Sequence, residues 1–126
     1  MTWKTVRLEL ARTADFPKGS ASRAYVLRVP LNDEGLIDAE LIARTPSHAT
    51  ASRFWSSEPE LFGRIERSDG QWVMRCSGQH DDTVFRMPAL PLRLNNEITI
   101  EEPDGSSHPF RVASIKGNGS PVAAAL

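Results

Sequence analysis

Cysteine occurs once in this chain and tyrosine once, and no apolar run approaches the length that crosses a membrane as a helix. A lone thiol excludes an internal disulfide framework. Charge of one sign is missing as well: 15 Lys and Arg against 16 Asp and Glu leave −1, with no global drive toward nucleic acid or an anionic membrane. No Gly-rich phosphate loop, nucleophile elbow or metalloprotease helix is present, and the three histidines show neither HxH nor HxxxH spacing. No motif implies a cofactor, and catalysis has no residue set to stand on. The first residues lack the basic-then-apolar order of a signal peptide, because Arg7, Glu9 and Arg12 interrupt it. A cytoplasmic protein without a membrane partner is the expectation.

What is present is a β pattern in 126 residues, 40% of them hydrophobic and 25% charged, enough for one packed domain. Glu97-Ile98-Thr99-Ile100-Glu101 alternates polar and apolar, and Pro103-Asp104-Gly105 supplies turn chemistry. His108-Pro109-Phe110-Arg111-Val112 then resumes the alternation, which spells a β-hairpin. A second hairpin runs from Leu61, Gly63 and Ile65 through Ser68-Asp69-Gly70 to Trp72, Met74 and Cys76. Val6, Leu8 and Leu10 mark a strand near the N-terminus, and Tyr25, Leu27 and Val29 mark another that should end at Pro30. Thr50 to Ser56, Thr83 to Met87 and the alternating Leu90, Leu92 and Leu94 add three more.

The one helical segment is Ala39 to Arg44. Asp38 is its N-cap, Ile37 and Ile42 form a hydrophobic staple, and Thr45-Pro46 stops it. Two turns do not persist alone, so this helix must dock on a sheet. The spacing therefore predicts a mainly β fold: a small, partly open β-barrel or two-sheet sandwich of seven or eight short strands with one short helix. The domain covers residues 1–116, and 117–126 reads as a flexible tail. Strand edges at Pro30, Pro91 and Pro109 would be only partly blunted, which makes a homodimer one expected partner arrangement.

Three surfaces are candidates for binding. Arg53 and Trp55 share one strand face, with Phe54 on the other and Glu58 just beyond; an Arg–Trp pair suits a planar ligand or an interface. The competing reading makes Trp55 core, with Arg53 over its rim. His80-Asp81-Asp82 is a polar loop whose imidazole and carboxylates could contribute to a metal site and carry a small-molecule or metal-dependent activity, or simply cap nearby amides. Residues 1–30 carry +4 and the rest −5, so Trp3, Lys4, Arg7, Arg23, Tyr25 and Arg28 are the pieces available for single-stranded nucleic acid. Those basic residues stand singly along strands, however, and the acidic remainder repels phosphate, which disfavours that partner. Cys76 falls on the face of Trp72 and Met74 and should be buried and inert. Glu101-Glu102 and the Glu58/Glu60 pair read as solvated strand and loop residues.

The run from Tyr25 to Leu31, Gly35-Leu36-Ile37-Asp38, Arg53-Phe54-Trp55, Glu58, the Gly70-x-Trp72 turn, Asp81-Asp82 and Phe110-Arg111-Val112 together resemble a group of small bacterial proteins of unknown function. The resemblance extends to about residue 116 and implies a bacterial, cytoplasmic, β-rich domain with no activity to carry over. The expectation is thus a non-catalytic binding or assembly domain, homodimeric or with a shallow ligand groove at Arg53 and Trp55.

Overall fold

The computed structural model describes residues 2–77 and 82–117, with the backbone alone for Thr2, Ser77 and Asp82. These residues form β1 (Thr2–Leu10), β2 (Ser20–Leu31), α1 (Ala39–Arg44), β3 (Thr50–Trp55), β4 (Leu61–Ser68), β5 (Gln71–Ser77), β6 (Asp82–Pro88), β7 (Glu97–Glu101) and β8 (Ser107–Gly117). Each strand pairs antiparallel with the next, and β8 returns to β1, giving a closed up-and-down barrel. The segment 118–126, which contains nearly all of the expected tail, lies outside the described residues. Among the described residues no helix is long and apolar enough to cross a membrane.

Period-two alternation sends one face of every strand inward. Val6 and Leu8, Tyr25 and Leu27, Ile65, Trp72 and Met74, Phe85, Ile100, Phe110 and Val112 fill the interior. Eight strands enclose a space that side chains can fill. The barrel is a packed core.

The expected small, mainly β barrel with one short helix is observed; it closes fully, so the partly open edges expected at three prolines are not there. Pro30 lies opposite Trp3 inside the β1–β2 ladder, and β2 runs one residue beyond it. A proline keeps its acceptor, and the Pro30 carbonyl takes the N–H of Asp38 at 2.9 Å. Pro109 sits opposite Thr99 in the β7–β8 ladder. With no free edge between these strands, dimerisation by edge pairing loses its basis.

The alternating leucines at 90, 92 and 94 do not make a strand. Pro88 and Pro91 deprive the segment of donors, and it crosses one end of the barrel as a connection. Leu92 turns into the core and donates its N–H to the Gly35 carbonyl at 2.8 Å, while Leu90 and Leu94 stay exposed.

Local chemistry accounts for the remaining joints. Asp38 caps α1 by accepting from the Leu41 N–H at 2.9 Å, and the staple residues Ile37 and Ile42 are both buried. Asp69 and Gly70 take φ of 51° and 76° in the two-residue turn between β4 and β5, the twist that right-handed hairpins favour. The seam between β6 and β7 is the sparsest: it is registered at the single pair Arg86 and Glu101, whereas β2 accompanies β1 along its whole length.

Candidate functional site

β2 and β3 pair with Tyr25 opposite Arg53 and Arg23 opposite Trp55. The four side chains therefore stand on neighbouring strands, facing inward at the end of the barrel away from α1. In a ring of eight strands β3 lies across from β7, and Arg53 uses its length to span that distance. Its Nη2 donates to Glu102 Oε1 at 2.9 Å, just past the end of β7. Its Nη1 donates to Glu58 Oε1 at 3.2 Å, and its Nε donates to the Tyr25 hydroxyl at 3.3 Å. The guanidinium forms a bar across the mouth.

Aromatic rings hold the bar on several sides. The Arg53 guanidinium carbon lies 4.3 Å from the centroid of Trp55 and 5.2 Å from that of Phe85. Beneath it Tyr25 meets Phe85 and Phe110 edge to face, at 5.6 and 5.0 Å. Toward solvent, Trp55 sits 6.1 Å from His108, and Arg23 covers Phe16 at 4.3 Å. The end is layered: an aromatic floor, a charged bar, and a rim of half-buried Phe16, Arg23, Trp55 and His108.

The electrostatics keep the bar charged and the nearby phenol and thiol neutral. Burial opposes the Arg53 charge, but the bonds to Glu102 and Tyr25 outweigh it and raise the guanidinium's proton affinity further. Burial raises the Tyr25 phenol, against the pull of Arg53. Burial likewise pushes the Cys76 thiol up to about 11, again opposed by Arg53. Near neutrality both groups hold their protons, so neither is an activated nucleophile. The expected burial of Cys76 beside Trp72 and Met74 is observed.

The structure brings Arg53, Trp55 and Glu58 together, but it reverses the competing reading of the pair. Arg53 is the buried member, at 6% exposure, and Trp55 lies half-buried at the rim. Glu102, expected to be solvated, has a side chain only 14% exposed because it receives the bar. Tyr25 and Glu102 stand 28 and 49 residues from Arg53, beyond any spacing rule. The one signal pointing to them was the demand that a buried guanidinium find partners.

His80 and Asp81 lie outside the described residues, and Asp82 is described only by its backbone pairing with Ser77. Among the described residues no three His, Cys, Asp or Glu side chains are placed to hold a metal ion. Of the N-terminal residues weighed for stacking, Tyr25 is interior. Trp3 packs against His48 at 6.1 Å with Arg28 over its ring at 4.8 Å, and Arg7 pairs with Glu9 at 2.8 Å. Comparison with protein-family models, with curated proteins and with solved structures finds no match to this chain.

Proposed function

We propose that this chain is a non-catalytic binding domain whose recognition surface is the arginine end of the barrel. One observation carries the reading: Arg53, the one charged residue buried among those described, is fixed beneath a half-exposed tryptophan. A purely structural plug needs no charge, and removing one from water is costly unless it is fully partnered. The interior is filled, so a ligand sits on the rim formed by Trp55, His108, Arg23 and the exposed Glu58 rather than inside the barrel. Rings and both signs of charge on that rim suit a planar, polar small molecule or an equivalent side chain of a partner protein. The absence of an activated thiol or phenol at this end favours binding over chemistry.

The bacterial, cytoplasmic setting implied by the sequence resemblance belongs to the same proposal. A thermal-shift screen with benzoate, indole-3-acetate and benzamidine tests it. At least one probe should raise the Tm of the native protein and leave Trp55→Ala unmoved; an equal shift in both would refute the rim as the binding surface. Self-association is a second reading, favoured by exposed Leu90 and Leu94 in the connection at the opposite end. Sedimentation velocity should then show a dimer that Leu90→Ser with Leu94→Ser dissociates, and a monomer at all concentrations discards it. A metal-dependent role for the loop of His80, Asp81 and Asp82 is checked by titrating zinc against the native chain and His80→Ala.

A further inference from the structure

The outer wall of β2 to β5 departs from the charge balance of the chain. Its strands keep an unbroken register, so the outward side chains follow from those that face the core. Arg28, Thr50, Arg64 and Arg75 line up as cross-strand neighbours in one row. Glu66 is the acidic residue among the outward positions of these four strands, where three arginines stand, although the chain as a whole is net −1. Arg64 and Arg75 are direct cross-strand partners, an arrangement of like charges that costs stability unless an anion offsets it. Glu66 pairs with Arg75 and offsets part of that cost, while Arg64 has no ion-pair partner among the described residues.

Two rings stand beside this row. Phe62 lies next along β4 on the same outward face as Arg64, and Phe54 is its diagonal neighbour on β3. They are 57% and 36% exposed, which leaves large apolar ring surface open to solvent. Flat apolar rings flanking a line of cations on an open wall form a stacking platform with phosphate contacts.

We propose that the outer wall of β2 to β5 binds single-stranded nucleic acid, with Phe54 and Phe62 stacking bases and Arg28, Arg64 and Arg75 taking phosphates. The surface shares only Arg28 with the N-terminal set weighed on sequence grounds, since Tyr25 is interior and Arg23 belongs to the rim. Unpaired bases are required, because a ring on the wall cannot reach a face inside a duplex. The row from Arg28 to Arg75 crosses three strand spacings, on the order of 14 Å.

Fluorescence anisotropy with the full chain and a labelled oligo(dT) of about 10 nucleotides, within the ~4–16 that small barrels cover, tests the proposal. Binding at low salt should weaken as salt rises, with a log–log slope of about −2 for three phosphates on a single strand. Arg64→Ala, at an exposed position, should reduce that slope by about 0.7. Phe62→Ala should weaken binding about fivefold or more and leave the slope unchanged, as loss of one stacked base does. Glu66→Gln should tighten binding, and Trp55→Ala at the rim should leave it alone. No binding at low salt, or a slope indifferent to Arg64→Ala, overturns the proposal. So does equal capture of polyglutamate that ignores Phe62→Ala, which would assign the wall to an acidic protein.

Discussion

At one end of the barrel, α1, the residues just before it and the 89–96 connection lay Ile37, Ile42 and Leu92 over the interior; at the other, Arg53 crosses from β3 to Glu102. Both arrangements exclude water from the same core, and they do so with different physics. The leucine end relies on apolar area, which is non-directional and tolerates side chains of similar volume. The arginine end depends on a planar fork with fixed donors, so its partners must sit at particular points on β2, the β3–β4 connection and the β7–β8 turn. An end closed by shape alone holds the fold. An end closed by a charged bar holds the fold and also presents a defined surface.

Substitutions at the two ends should separate these modes. The largest effect belongs to Arg53→Met, which strands Glu102 against the aromatic floor and should cost about 4 kcal/mol by urea denaturation. Adding Glu102→Gln to that variant should recover part of the loss, since an apolar side chain with no orphaned charge is tolerated better than half an ion pair. Leu92→Ala at the opposite end should cost about 3 kcal/mol, through lost transfer energy and the cavity left behind. The conservative exchanges then diverge: Leu92→Met should cost less than about 1.5 kcal/mol, whereas Arg53→Lys should cost more, because an ammonium cannot reproduce three divergent bonds.

The smallest expected effect is on pH dependence. The Cys76 thiol is raised from 9.0 to about 11 in the folded chain, so folded and unfolded forms both hold the proton below pH 9. Between pH 9 and 11 only the unfolded form releases it, and stability falls across that window. Burial of the Tyr25 phenol acts with the same sign at higher pH. Urea midpoints at pH 7, 9 and 11 should therefore decline above pH 9, and Cys76→Ala should decline less steeply from a lower start. Iodoacetamide should leave Cys76 unmodified at pH 8 until the protein unfolds.

The leucine end was the more legible in the sequence. Asp38, the Ile37 and Ile42 staple and Thr45-Pro46 lie within ten residues of each other, and local rules read them correctly. Leu92 was misread, because alternation in 90–94 imitates a strand when the loss of donors at Pro88 and Pro91 is not counted. At the arginine end the strands and the pairing of Arg53 with Trp55 on one face followed from period two. The depth of Arg53 did not, since burial depends on where the barrel closes and which strands lie opposite. Glu102 shows the same difficulty: next to Glu101 in an exposed turn it looked solvated, and only closure places it within reach of β3. Closure itself was hidden for a related reason. β8 closes the barrel by pairing with β1 along Lys4–Leu10, with partners 100 residues or more apart in the sequence, and no local pattern announces so distant a pairing.

The barrel also relies on one backbone approach that alternation could not reveal. Gly63 faces inward on β4, where a Cβ would fall 1.8 Å from the Arg75 carbonyl oxygen. Gly63→Ala should therefore force the β4–β5 ladder apart and cost roughly 3 kcal/mol, close to the effect of Leu92→Ala.

The measurement that bears most directly on the arginine end as the binding end is a paired thermal-shift titration of Trp55→Ala and Leu90→Ser with benzoate, indole-3-acetate and benzamidine. The expected result is a probe that stabilises the native chain and Leu90→Ser alike and has no effect on Trp55→Ala. Stabilisation that survives Trp55→Ala and disappears with Leu90→Ser would place recognition at the leucine end and contradict the reading.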